Sequence, residues 1–296
     1  MEPLISIKIP TYNCAQYLIQ TIESVLNQKM ININVLDIEV IDDCSTKDDP
    51  EDIVKRHGQG RVKFYKNATN QGATANFNTC IYRSNCQFTH ILHGDDFIEE
   101  SFYFEFLEKY AQDEKLSIFT VRNYLVDEAG NKFGESICIK NEELNELFEG
   151  QTPFQFSGVV FRTEIAKQIG GFDNQFIHFA DRDLWLRLCL LGDWYHSNLI
   201  LANYRVFQGN DSSKLYSLGF NLVDYYKFLI KHKKRFRLNI YQINLKIYKK
   251  YRNQVLIFPI NKRIITWNII KTINIFWYFF ELKSFLRRIK AALKNL

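Results

Sequence analysis

The chain has 296 residues, 46% hydrophobic and 24% charged, a globular composition with room for one ordinary domain plus an extension, or for two small domains. Disordered, collagenous and disulfide-scaffold chains are excluded. The net charge of +5 conceals a segregation: residues 227–296 carry 18 Lys and Arg against one acid, Glu281, while the first 226 carry 20 bases and 32 acids.

In chain order, short apolar runs alternate with helix-length segments through the first half, the pattern of an α/β unit with a mainly parallel sheet. The runs ISIKIP (5–10), DIEVID (37–42), VKFYKN (62–67) and FTHILHG (88–94) read as strands, with helices over 15–28, 50–57 and 73–84 between them. In the first helix Tyr17, Leu18, Ile22, Val25 and Leu26 recur at near-helical spacing, and Asn13 stands where an N-cap is expected. A helix over 101–112, a strand over 116–126, a polar loop over 132–153 and a strand over 157–161 follow. A short helix to 169, a break at Gly170-Gly171, a helix over 181–191 and a strand over 199–206 complete the body. The tail reads as predominantly helical, with Leu282, Phe285, Leu286, Ile289 and Leu293 on one stripe and Lys283, Arg287, Arg288 and Lys290 on other faces. The expected division is a body over 1–226, with halves at 1–98 and 99–226, and a basic tail over 227–296.

The opening MEPLISIKIP has no basic segment followed by a long apolar run, so the body is expected in the cytoplasm. The most apolar stretch, 264–280, is interrupted by Asn268, Lys271 and Asn274 and reaches only about 25 Å as a helix, short of a bilayer core. An interfacial role is therefore expected for the tail rather than a spanning one. Cys14, Cys44, Cys80, Cys86, Cys138 and Cys189 form no CxxC pair, which argues against zinc and disulfides and for buried reduced thiols.

Ligands of open α/β sheets bind at the carboxyl ends of the strands, and the exits here read TYN, DDCS, NATNQG and DDF. Carboxylates cluster at these exits as Asp42-Asp43 and Asp95-Asp96, and Asp181 with Asp183 opens a late helix. Any single pair serves equally well as a cap or a turn. HILHGDDFI, however, puts two acids directly after a buried strand, where a hard divalent cation is held readily and in turn neutralises a diphosphate.

Five ordered motifs, SIKIPTYN, EVIDDCSTKD, NQGATANFN, HGDDF and GGFDNQF followed by ADRDLWLRL, resemble those of glycosyltransferase family 2, inverting enzymes of the GT-A fold, over about residues 4–215. The resemblance implies a Rossmann-like α/β fold in which Pro10, Thr11, Tyr12 and Asn13 line the nucleobase and ribose and Asp43 hydrogen-bonds the base. It implies that Asn70, Gly72 and Asn78 shape the donor pocket; turn roles stay open for these three and for TYN. Asp95 and Asp96 would face the ribose and diphosphate, with Asp96 the direct ligand of Mn or Mg. By the same resemblance Asp181 is the catalytic base, with Ala180 in place of the first acid of the family's pair. In an inverting transfer that carboxylate takes the proton of the acceptor hydroxyl on the face opposite the departing diphosphate. Asp183 reads as structural, paired with Arg182 or Arg187, and Trp185 and Trp194 as core rather than sugar platforms. Two departures stand out: His93 where the family often has an acid two residues before the DD pair, and Phe207 where it often has a histidine, leaving His178 to complete a metal site.

The function expected from this resemblance is transfer of a sugar from a nucleotide sugar, a UDP-sugar first, to a hydroxyl of a polyprenyl-diphosphate-linked glycan. The setting would be bacterial surface polysaccharide assembly: O-antigen, capsule or lipooligosaccharide. The tail, with Trp267, Phe276, Trp277, Tyr278, Phe279 and Phe280, would hold the protein on the anionic inner face of the cytoplasmic membrane. Packing of the tail on the body, or pairing of two chains into a homo-oligomer, stays open. Nucleic acid is not an expected partner, because no recognised module accompanies the basic helix. A nucleotide-sugar-binding or membrane-scaffolding pseudoenzyme is the alternative, motivated by His93 and Phe207.

Overall fold

A computed structural model describes residues 2–139, 144, 147–148, 153–207, 215 and 220–255, without the side chains of 244, 248 and 251–255. The chain divides into two compact units, Met1–Gln175 with Ala180–Phe207, and Phe176–Phe179 with Gln208–Leu296. The division thus falls after Phe207, ahead of the boundary at 226 read from charge.

In the first unit β1 (Ile5–Thr11), β2 (Leu36–Asp42), β3 (Val62–Lys66) and β4 (Phe88–Ile91) lie in the order β3-β2-β1-β4, all parallel, joined by α1 (Ala15–Leu26), α2 (Pro50–His57) and α3 (Ala73–Arg83). All seven residues of β1 are buried, as a strand covered on both faces requires. Lys8 sits inside this strand because its ammonium meets Asp37 at 3.2 Å and Glu39 at 3.0 Å, so the buried charge is paired. α2 opens on Asp49, whose carboxylate accepts from the Asp52 amide, with Pro50 in the first turn and three basic residues in the last.

Past β4 come β5 (Phe97–Ile98), α4 (Phe102–Gln112), β6 (Leu116–Val126), β7 (Lys132–Glu135), β8 (Val159–Arg162), α5 (Thr163–Gln168), α6 (Ala180–Cys189) and β9 (Asp193–Arg205). Here the sheet is mixed: β8 runs antiparallel to β4 and β6, β6 parallel to β9, and β5 antiparallel to β9. The mainly parallel sheet expected from the alternating pattern therefore describes its first half. The polar stretch expected to be loop from 132 to 153 begins with β7 on β6, and the last strand starts at Asp193, six residues before its expected start. Asn13 is not the N-cap of α1. Its φ of 52° is left-handed and its amide oxygen accepts from Thr46 and Lys47, while Cys14 takes the cap position without a side-chain bond. All six cysteines are free, as expected, but only Cys80 and Cys189 are buried and Cys138 is exposed.

The second unit contains α7 (Phe220–Lys231) and α8 (Ile240–Val255). Asp224, fully buried on α7, accepts from the amides of Ile177, His178 and Phe179 at 2.7, 2.5 and 3.2 Å. Asn239 and Gln242 exchange side-chain to backbone bonds of 2.9 Å each, a reciprocal cap that starts α8. The amphipathic stretch over 282–293 and the aromatics from Trp267 to Phe280 lie outside the described residues. Among the described residues no helix is long and apolar enough to cross a membrane.

Candidate active site

Four strand exits of the parallel half converge on one edge, and their polar residues divide into those that hold the edge together and those that leave atoms open. Asp42, fully buried at the end of β2, accepts from the amide and hydroxyl of Ser45 and pairs with Lys66 at 3.4 Å. Ser45 in turn accepts from the Asn13 amide, which docks the β1 exit on the β2 exit. Asp43, 3% exposed, accepts from Asn67 Nδ2 and the Gln71 amide on Oδ1 and from the Gly72 amide on Oδ2, all at 2.9 Å. Its carboxylate is the post around which residues 67–72 wrap. Gly72 starts α3 at φ 84° and ψ 159°, backbone that only glycine adopts without strain, and Asn70 accepts from its amide at 3.2 Å.

Asn78 meets Phe172 in a two-bond bracket: Nδ2 donates to the Phe172 carbonyl at 3.0 Å and Oδ1 accepts its amide at 2.8 Å. A Cβ on Gly171, which has φ of 65°, would lie 2.4 Å from Asn78 Oδ1, so glycine is required there for contact as well as for conformation. Arg187 completes this corner, donating to Asp183 at 2.7 Å and to the carbonyls of Ile169 and Gly171. Asp183 thus has the structural role read for it, with Arg187 as its partner; the buried Arg182 donates to the Phe148 carbonyl. Of the β1 exit, Thr11 is buried with its hydroxyl 3.0 Å from Cys14 Sγ, Tyr12 is 45% exposed, and the Pro10 carbonyl accepts the Gly94 amide at 3.0 Å.

The β4 exit is built differently. The Leu92 and Gly94 amides donate to Lys8 and Pro10 carbonyls, continuing the ladder past β4 into the turn that holds His93 and Asp95. The Asp96 amide then donates to the His93 carbonyl at 3.0 Å, folding Asp96 back toward both. Thr21, fully buried on α1, clamps the turn: its hydroxyl donates to the Asp96 carbonyl at 2.7 Å and lies 3.0 Å from that of Gly94. His93, Asp95 and Asp96 bring ligand atoms within 4.8 Å of one another.

Asp96 is 1% exposed, and its Oδ2 has no hydrogen-bond partner while Oδ1 accepts the Arg205 amide at 2.9 Å. Burial first, and then the neighbouring Asp95, push its carboxyl well above the usual range. A buried acid with an open oxygen and an acidic neighbour is a site short of positive charge, and a hard divalent cation fits that deficit. Behind it, Asn123 Nδ2 donates to Ser157 Oγ at 2.8 Å. The Ser157 carbonyl accepts from His90 Nε2, so Nδ1 of that ring accepts from Tyr103; burial holds His90 down to about 3.

Arg205, 2% exposed, is the residue that sequence reading missed. Its guanidinium donates to the carbonyls of Asp95, Asp127 and Glu128 and to Gln20 Oε1, and lies 4.9 Å from the Tyr17 ring. It fixes the backbone of the acid pair from behind. The only sequence signal is a basic residue closing the last strand, and nothing local announces those partners. Phe207 packs its ring on Tyr17 at 5.4 Å.

An aromatic chain joins this turn to α6. His93 stacks on Phe77 at 5.0 Å and lies 4.4 Å from Phe156, which meets Trp185 at 5.4 Å. Trp185 is fully buried, as read, and Trp194 contacts Phe154 at 6.2 Å. Asp181 stands one helical turn before Trp185, hence on the same face of α6; it is half-buried, and Oδ1 accepts the Arg182 amide at 2.7 Å. His178 belongs to the second unit, where burial lowers its pKa.

Comparison with known proteins decides the family. The model for "Glycosyl transferase family 2" matches residues 6–170, more than half of the chain. The chain belongs to glycosyltransferase family 2. It is 29% identical over 213 residues to the chondroitin synthase of Escherichia coli, covering 71% of this chain and 30% of that protein, so it spans less than a third of the relative's length. Among solved structures it resembles S. aureus TarS 1-349 in complex with UDP-GlcNAc, with a TM-score of 0.63 at 18% identity over 76% of this chain and 64% of that one. It also resembles the mannosyltransferase PcManGT of Pyrobaculum calidifontis in complex with GDP-Man and Mn2+, with a TM-score of 0.60 at 13% identity over all of this chain and 88% of that one. These two likenesses are of fold, the GT-A arrangement expected for a family 2 chain.

Proposed function

We propose that this family 2 chain is an inverting glycosyltransferase that moves one sugar from a nucleotide-sugar donor to a hydroxyl of a growing polysaccharide. The observation that carries this reading is the β4 exit, where a buried carboxylate keeps an open oxygen beside a second acid and a histidine. Asp96 and Asp95 would hold a divalent cation with the donor diphosphate; when bound, that ion neutralises the charge of the leaving group. Pro10, Thr11, Tyr12 and Asn13 line the nucleoside end, and a base hydrogen bond to Asp43 falls to its Oδ2, which the loop uses once against twice for Oδ1. Asn70 and Gly72 shape the donor side through the loop held by Asp43, and Asn78 through the Phe172 turn. Asp181 takes the acceptor hydroxyl proton as the new bond to the anomeric carbon forms and the nucleoside diphosphate departs from the opposite face. Support for its position comes from the aromatic chain His93–Phe156–Trp185, which ties the acid pair to the face of α6 that carries Asp181.

A UDP-sugar donor is favoured by TarS, whose structure holds UDP-GlcNAc, over the GDP-mannose held by PcManGT, and a polysaccharide product by the chondroitin synthase relative. We place the acceptor on a polyprenyl diphosphate and the protein on the inner face of the cytoplasmic membrane. Residues 227–255 carry ten Lys and Arg and no acid, with Ile240 and Tyr241 exposed among them. A pseudoenzyme is the second reading, favoured by Phe207, whose ring is packed on Tyr17. The test is turnover of UDP- and GDP-sugars with lipid-linked oligosaccharides, read by release of nucleoside diphosphate and by the anomeric proton coupling of the product. An inverted product supports the proposal; a retained one, or donor binding without product, overturns it.

A further inference from the structure

We propose that His93 is a metal ligand of this site, so that the site is a nitrogen-bearing one that selects transition-metal dications, Mn(II) and Co(II), over Mg(II) and Ca(II). This rests on the reading of the β4 exit as a cation and diphosphate site. Three observations carry it. The turn closed by the Asp96 amide on the His93 carbonyl gathers the three residues, and their ligand atoms lie within 4.8 Å of one another, a spread that one ion with bonds of about 2.1 Å closes by small side-chain movements. His93 Nε2 is buried without a hydrogen-bond partner, as is Asp96 Oδ2, so one nitrogen and one oxygen of the same cluster are both unused. The imidazole is not loose: Phe77 lies parallel to it, 11° between planes at 5.0 Å, and Phe156 packs against it at 4.4 Å. The site therefore keeps its ring direction before any ion arrives.

Selectivity follows from ligand chemistry. Mg(II) demands near-ideal octahedral oxygen ligands and keeps its waters, and Ca(II) takes six to eight oxygens, whereas imidazole nitrogen suits first-row transition metals. An acid at position 93 would give an all-oxygen set open to Mg(II); histidine there withdraws one oxygen and adds one nitrogen.

The experiment uses the full chain with Mn(II) as the probe, alone and with UDP, read by pulsed EPR for nitrogen coupling and by titration with Mg(II) competing. Expected in the wild type is imidazole nitrogen coupling to bound Mn(II), lost in His93→Gln, where Mn(II) binding weakens about tenfold and Mg(II) binding changes less than threefold. In His93→Asp the Mn(II) to Mg(II) ratio should fall by a similar factor while both ions still bind. The wild-type spectrum stands whether or not His93→Gln folds. Bound Mn(II) without nitrogen coupling in the wild type, or coupling that survives in His93→Gln, overturns the role of His93 and leaves the cation site standing. No Mn(II) binding by the wild type, with or without UDP, overturns the cation reading itself and this inference with it.

Discussion

The β2 and β4 exits each carry two adjacent aspartates, and they use them in opposite ways. At the β2 exit the charge is consumed by the chain: Asp42 takes the Ser45 amide and hydroxyl, and Asp43 takes two backbone amides and an asparagine. At the β4 exit Asp96 is as deeply buried but keeps one oxygen open beside Asp95. A buried carboxylate whose acceptors are filled from within builds a loop; one left partly unfilled costs stability and is set for a cation or a proton. Identical dipeptides at the ends of the two strands that flank β1 thus differ in how far the chain itself fills their acceptors.

The largest effect that sharpens this contrast falls on chemistry. Asp181→Asn should lower sugar transfer about 100- to 10,000-fold with nucleotide binding kept within threefold, measured by turnover beside calorimetric titration of UDP with Mn(II). Next comes stability. Asp43→Ala strips the acceptor from the buried Asn67 side chain and from two amides of the exposed 71–72 turn and should cost about 1–3 kcal/mol in denaturant unfolding, whereas Asp96→Asn, isosteric and uncharged, should leave the metal-free protein as stable or more so. Equal losses for the two would erase the distinction between the exits. Gly72→Ala should cost about 1–3 kcal/mol, because φ 84° with ψ 159° strains any Cβ although space around it is open.

The smallest effect is on the acid side. Burial pushes the Glu39 carboxyl up, but Arg83 and Lys8 outweigh it and hold it below the ordinary range; Lys63 and Lys8 do the same for Asp37. Because the folded pKa is depressed, this stability is complete above the unfolded value near 4 and is lost as pH falls through the folded one. Thermal melts from pH 7 to 3 should show that loss. In Arg83→Gln the acid limb should shrink by about 1 kcal/mol, Arg83 being partly exposed.

What was legible in the sequence was whatever is local. The four parallel strands and their crossovers follow from apolar runs of strand length, and the acids after β4 from their place behind a buried run. Asn13 was misread because its amide is engaged 33 residues away, at Thr46, rather than in its own helix. β7 escaped because KFGE carries no apolar run; it exists because β6 offers it an edge. Arg205 was invisible as a support since its partners, Gln20, Asp95, Asp96, Asp127 and Glu128, meet only when the sheet assembles. Likewise nothing in DDCS says that Asp43 will be filled by residues 67–72.

The measurement that tests the account most directly is calorimetric titration of UDP with Mn(II) into the wild type, Asp96→Asn and Asp42→Asn, each checked for a cooperative melt. The account predicts binding by the wild type, its loss in Asp96→Asn, and its retention in Asp42→Asn wherever that variant melts cooperatively. Binding by Asp96→Asn at wild-type affinity would contradict it.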